Sequence, residues 1–187
     1  MGGTFDPVHN GHLVCADEAR YQFRLDEVIF VPAGNPWQKR TVSPAEDRYL
    51  LTMLATASHD KFSVSRIEID REGPSYTHET LRVFRNFYPE AELFFITGAD
   101  AVAEILSWKD PEAVLREAHF IAATRPSYGF GSLEDLDAKV SRMEIPALAI
   151  SSSDIRARVA EGRPIRYLLP PEVERYIVSR GLYSAPG

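Results

Sequence analysis

Apolar residues recur along the chain at two spacings, one near four and one at one or two, and the two kinds of stretch alternate. Residues 12–22 carry Leu13, Ala16, Ala19 and Phe23 toward one side, which predicts an amphipathic helix. "VIFVP" at 28–32 is a short unbroken apolar run, as in a strand covered on both faces. Ser43-Pro44-Ala45-Glu46 has the form of a helix start, with Ser as N-cap, Pro in first position and Glu completing a capping box; that helix is expected to reach about Ala57. "FSVSRIEI" at 62–69 alternates like a strand, and "YTHETLRVFRNFY" is helical up to Pro89. "ELFFIT" at 92–97 is again strand-like. A helix follows from Asp110-Pro111, then "HFIAAT" at 119–124 and "IPALAI" at 145–150 as further strands. Two helices close the chain, one ending at Gly162 and one running from Pro170-Pro171 to Gly181.

Strands separated by helices predict βαβ units and a parallel sheet, hence an α/β, doubly wound, Rossmann-like fold. There is no internal repeat and no low-complexity tract. Residues 1–187 therefore read as one domain, of which 151–187 form a small helical C-terminal part. Ligands of such sheets bind beyond the carboxyl ends of the strands. The segments there are "NPWQKR", "GAD", "RPSY" and "SSSDIR", together with the opening loop.

Composition narrows the classes. No run of about 18 apolar residues exists, and the first residues lack the basic and apolar regions of a signal peptide. The single cysteine, Cys15, has no internal partner for a disulfide, reads as a small buried helix residue, and no Cys/His group has zinc spacing. These features predict a protein of the reducing cytoplasm. A net charge of −6 argues against a broad nucleic-acid surface but not against a small anionic ligand, which answers to local charge.

The candidate chemistry lies in "GGTFDPVHNGH" at 2–12. Gly2-Gly3 permits close approach of backbone to a ligand, Pro7 fixes a turn, and Asn10-Gly11 leads into a helix at His12. A loop ending at a helix N-terminus offers free N–H groups and a positive dipole end, which suits phosphate. Two imidazoles beside it add donors that can meet developing charge on phosphate oxygens. No Ser or Cys nucleophile has a matching base, so the substrates must bring the reacting groups. From the residues alone, helix capping or metal binding with a third ligand stays open for the two histidines.

His9-Asn10-Gly11-His12 resembles the HxGH signature of the nucleotidyltransferases, and Ile150-Ser151-Ser152-Ser153-Asp154-Ile155-Arg156 resembles the ISSTxxR signature of the same superfamily. "SYTHETL", "ITGADA" followed by Trp108, "TRPSY" and "YLLPPEVERYIVSRGLY" make the chain similar to the bacterial nicotinate-nucleotide adenylyltransferase family along nearly its whole length. The resemblance implies a transfer of the adenylyl group of ATP to nicotinate mononucleotide in NAD biosynthesis, giving nicotinate adenine dinucleotide and pyrophosphate. It places His9 and His12 on the ATP phosphates as catalytic residues, and Gly3, Thr4 and Phe5 along the nucleotide by backbone contacts; core packing is an equal reading for Phe5. Ser152, Ser153 and Arg156 are implied at the β- and γ-phosphates, Asp100 near the ribose and Arg125 near the adenine. Lys39 would approach the mononucleotide phosphate, although many relatives read "PPHK" where this chain has Pro36-Trp37-Gln38-Lys39. Trp108 would stack on the pyridine ring, while Thr77 and the backbone near Trp108 and Lys109 would face the nicotinate carboxylate; a helix N-cap is the plainer role for Thr77.

Mg²⁺ is expected to arrive on the triphosphate rather than in a protein cage, and homo-oligomerisation stays open. His59, His78, His119, Arg40 and Arg158 carry no motif and read as structural or exposed. Two rival readings are a phosphopantetheine adenylyltransferase, which shares both signatures, and a non-catalytic nucleotide sensor on the same fold. Members of the family place a hydrophobic strand directly before the Gly-Gly turn. Met1 stands one residue before that turn, so the sequence predicts that this strand lies upstream of Met1.

Overall fold

The computed structural model describes residues 1–36, 43–98, 111–124, 139–146 and 148–185. Within them lie strands β1 (Gly2–Gly3), β2 (Val28–Pro32), β3 (Phe62–Val64), β4 (Phe94–Gly98), β5 (His119–Thr124) and β6 (Val140–Glu144). The helices are α1 (Asn10–Gln22), α2 (Ala45–Thr56), α3 (Thr77–Phe87), α4 (Pro111–Glu117), α5 (Ser152–Ala160) and α6 (Pro171–Arg180). Every strand pair is parallel, in two ladders ordered β1-β2-β3 and β4-β5-β6. β1 packs beside β4, and a Cβ added at Gly2 would lie 3.0 Å from the Phe95 ring. Edge to edge, the ladders follow the order 3-2-1-4-5-6 of a doubly wound sheet.

Side-chain parity shows why helices cover both faces. On β5, Phe120 and Ala122 enter a cluster with Leu81 of α3 and Val114 of α4. Their neighbours Ile121 and Ala123 enter the opposite cluster, with Ala16 and Ala19 of α1, Leu51 of α2, Ile155 of α5 and Ile177 of α6. Successive strand residues point to opposite faces, so a strand buried on both must be apolar throughout, as "HFIAAT" nearly is. The C-terminal helices thus share the larger core with the sheet. α6 begins at Pro171 and ends at Gly181, whose φ of 60° is the left-handed conformation that glycine adopts at least cost.

Four elements depart from the sequence reading. Ser43 does not cap α2: the N-cap is Pro44, without a side-chain bond, and the Ser43 hydroxyl goes to Asp6 instead. β3 stops at Val64, because the next residues turn: Asp70 N donates to Arg66 O at 2.9 Å, and Arg66 bridges Glu46 and Asp70. "IPALAI" is not a strand. The ladder is made one segment earlier by "VSRME", and Pro146 has no N–H with which to extend it. Ile150 still enters the core from that segment, which explains its apolar character. Finally, Gly2–Gly3 themselves pair with β2, with Val31 N donating to Met1 O and Ala33 N to Gly3 O, both at 2.9 Å.

Candidate active site

The site is built where β1 ends and α1 begins. Phe5 has a φ of 51° and turns its ring inward, 2% exposed, onto Phe30 at 5.7 Å and edge-on to His12 at 5.1 Å. Its side chain is therefore core, and only its backbone is left to line a ligand. The Asp6–Pro7 peptide is cis. His9 is the N-cap of α1, in extended conformation, and His12 is the third residue of the helix. Their rings stack with centroids 3.7 Å apart. His9 N donates to His12 Nδ1 at 3.2 Å, half of a capping box made by two imidazoles. A ring nitrogen that accepts carries no proton, so this bond leaves Nε2–H as the donor of a neutral His12. α1 has no acidic residue in its first turn to offset the positive end of its dipole.

A second helix start is fastened to the same loop. Ser151 caps α5, accepting from Asp154 N at 3.1 Å. Ser152 Oγ donates to Pro7 O at 2.8 Å, and Arg156 Nη1 donates to Asp6 O at 2.6 Å while its Nη2 reaches Ser153 Oγ at 3.2 Å. Two helix N-termini, two imidazoles and a guanidinium thus surround one turn of backbone. Cation and N–H donors held this way bind anions with several oxygens, phosphate above all. Asn10 holds the other side, through Asn10 N to Leu168 O at 2.9 Å and Nδ2 to Tyr167 O at 2.8 Å.

Gly3, Thr4, Phe5, His9, His12, Ser152, Ser153 and Arg156 are therefore brought together. Thr77 is the first residue of α3, and the N-cap is Tyr76 rather than Thr77. The segment before Thr77 is held to the loop after β2, by Ser75 N to Asn35 O at 2.9 Å and Asn35 N to Ser75 Oγ at 3.2 Å. Lys39, Asp100, Trp108, Lys109 and Arg125 lie outside the described residues, as do Trp37, Gln38 and Arg40. Arg158 is not simply solvated; it pairs with Asp154 at 2.7 Å. His59 stacks on Phe62, and His119 meets Ser141 Oγ at 2.8 Å.

Residues 1–158 match the model of the cytidylyltransferase-like family. A relative from Streptomyces coelicolor, named "probable nicotinate-nucleotide adenylyltransferase", is 59% identical over 185 residues, covering 98% of each chain. The chain belongs to the nicotinate-nucleotide adenylyltransferase family. A family member from Clavibacter michiganensis bearing the same name is 55% identical over 186 residues, 100% of this chain and 93% of its own. The nicotinic acid mononucleotide adenylyltransferase of Plasmodium falciparum, solved with NaAD, has the same fold at TM-score 0.79 and 22% identity, over 97% of this chain and 94% of its own.

Residues that the sequence reading missed complete the candidate site. Arg48 of α2, 1% exposed, donates from Nη1 to Thr4 O at 2.8 Å and from Nη2 to Gly34 O at 3.1 Å, tying the opening loop to the turn after β2. Burial lowers the pKa of its guanidinium, while Asp6 and then Tyr183 and Glu68 raise it. The signal was present in the periodicity, since Arg48 falls in line with buried Leu51, Thr52 and Ala55. Asp6, Ser43 and Tyr183 also meet at the loop. No local pattern announces them, because they are 37 and 177 residues apart from Asp6. Among the described residues, no group of three or more His, Cys, Asp or Glu side chains could hold a metal ion, and no helix is long and apolar enough to cross a membrane.

Proposed function

We propose that this chain transfers the adenylyl group of ATP to nicotinate mononucleotide, forming nicotinate adenine dinucleotide and pyrophosphate, in the cytoplasm. The observation that carries this reading is the stacked His9–His12 pair at the start of α1, locked to the start of α5 by Ser152 and Arg156. The names of the relatives identify the acceptor, and the Plasmodium falciparum neighbour was solved with the corresponding dinucleotide.

In this mechanism the 5′-phosphate of the mononucleotide attacks the α-phosphorus of ATP in line and pyrophosphate leaves. His12 Nε2–H and the His9 ring neutralise charge that grows on the phosphate oxygens, and the positive end of α1 adds to them. Arg156, Ser153 and the first amides of α5 hold the β- and γ-phosphates. The hydroxyl of Ser152 is engaged with Pro7, so its contribution there is the backbone amide. Gly3, Thr4 and Phe5 run along the nucleotide through their backbones, with Asp100 toward the ribose and Arg125 toward the adenine. Lys39 meets the acceptor phosphate, Trp108 stacks on the pyridine, and Thr77 with the amides near Lys109 meets the carboxylate. No protein nucleophile takes part, so no covalent intermediate forms. The donor set at the loop is imidazole, hydroxyl and guanidinium, which suits the phosphate oxygens. Mg²⁺ accordingly belongs to the substrate, as MgATP, bound by phosphates and water.

The acceptor decides between this reading and its nearest rival. Purified protein with MgATP should yield dinucleotide from nicotinate mononucleotide. It should be much slower with nicotinamide mononucleotide, whose amide leaves carboxylate-directed donors poorly paired. It should give no dephospho-coenzyme A from phosphopantetheine. Preferred adenylylation of phosphopantetheine refutes the assignment, and nucleotide binding without transfer to any acceptor identifies a sensor.

A further inference from the structure

Three residues beyond α6, the C-terminal segment reaches back to the opening loop. The Tyr183 phenol donates to Asp6 Oδ1 at 2.7 Å. Ser43 Oγ donates to the same oxygen at 2.5 Å, and Ser43 N approaches Oδ2 at 3.5 Å. The two hydroxyls lie 3.2 Å apart. Asp6 is 4% exposed and Ser43 5%, so the carboxylate and its serine donor are shut away from water, with the half-buried Tyr183 closing over them. A buried carboxylate is tolerated only where such donors meet it. Burial, with the Asp6 carboxylate alongside, holds the phenol well above its ordinary pKa, and it remains an O–H donor.

The approach of Tyr183 is built into the backbone. Gly181 reverses the chain at the end of α6, with Leu182 N donating to Ile177 O at 3.0 Å. Tyr183 itself has a φ of 64°, a conformation that a tyrosine adopts only where its surroundings over-determine it. Its effect extends past Asp6. The carbonyl of Asp6 holds Arg156, the next carbonyl holds Ser152, and that of Thr4 holds Arg48. A shift of the Asp6 side chain would move the turn that leads to His9 and His12 and, with it, the guanidinium assigned to the phosphates.

We propose that Tyr183 is a positioning residue of the adenylyl transfer, fixing the 4–12 loop and Arg156 through an Asp6 carboxylate that it shares with Ser43. The inference rests on the adenylyl-transfer reading of the site. Tyr183→Phe keeps the ring and removes only the donor. With MgATP and nicotinate mononucleotide its kcat should fall about 10–100-fold, as small misplacements of reacting groups do, while each KM stays within about threefold. Hydrogen exchange should quicken at amides of residues 4–12 and not within α6. Ser43→Ala should act in the same direction. The double variant Tyr183→Phe with Asp6→Asn should be no slower than the slower single variant, because both act through one network. Wild-type kcat and loop exchange in Tyr183→Phe overturn the inference, as does a loss that merely tracks the fraction of unfolded protein. A wild-type chain that forms no dinucleotide overturns the activity and this inference together. An active wild type beside an undiminished Tyr183→Phe overturns the positioning role alone.

Discussion

Replacing Arg48 by methionine keeps most of the buried stem and removes the donors to Thr4 O and Gly34 O. The two carbonyls are half-buried, and each left without its partner costs at most about 1–3 kcal/mol, so the two together cost at most roughly 2–6 kcal/mol. Part of that is returned, because Arg48 Nε is buried with no hydrogen-bond partner among the described residues and the guanidinium is itself disfavoured by desolvation. A net loss of about 2–4 kcal/mol remains, against a total stability of the order of 5–15 kcal/mol for a single domain. For a chain of this size that lowers Tm by about 4–16 °C. Arg48→Lys should regain less than half of the loss, since a single ammonium cannot span two carbonyls that a planar fork reaches together. Urea unfolding, with midpoint and slope fitted for each variant, measures the difference. A loss below about 1 kcal/mol for Arg48→Met, or full recovery by lysine, would show that the two carbonyls find other donors and that Arg48 does not clamp the loop.

Two further outcomes follow from burial and close packing. A Cβ at Gly34 would lie 1.9 Å from Glu68 O, which is backbone and cannot swing aside. Gly34→Ala should therefore express poorly or unfold well below the wild type; a melting temperature within a degree or two would mean that the turn yields freely. Burial pushes the Cys15 thiol up to about 11, and the folded state thus holds its proton more tightly than the unfolded chain. More protons bound when folded means stability falls as pH rises, here between about 9, the ordinary thiol value of the unfolded chain, and 11. Comparing wild type with Cys15→Ala by denaturation across that window should show a steeper decline for the wild type, and identical slopes would contradict the buried-thiol account.

What the sequence conveys about this protein divides by range. The alternation of apolar runs with helical spacing was enough for the doubly wound architecture, because a strand such as "HFIAAT" must be apolar on both faces. Helix ends marked by Pro171 and Gly181 were legible for the same reason, since their backbone constraints are local. Ser43 illustrates the opposite case. Its place before Pro44 and Glu46 is that of a cap, yet its hydroxyl is claimed by a carboxylate 37 residues away. "VSRME" and "IPALAI" exchanged places because an edge strand needs only half its positions buried, while a non-strand segment can still send Ile150 into the core. At the site, both signatures named the residues that the fold brings together at the loop. Of the residues that fix those groups, Arg48 is legible as one of the buried positions of its helix, whereas Asp6 and Tyr183 act through contacts between distant parts of the chain of which spacing along the sequence carries no record.

The claim that the histidine pair works on the transition state is tested most directly with His12→Ala. ATP affinity and the single-turnover rate of dinucleotide formation from MgATP and nicotinate mononucleotide are measured on the same preparation. Loss of a donor aimed at developing charge should slow the chemical step about 10²–10³-fold and leave the dissociation constant for ATP within about threefold. An unchanged rate, or a rate loss matched by an equal loss of ATP affinity, would contradict the account and make His12 a structural or ground-state binding residue.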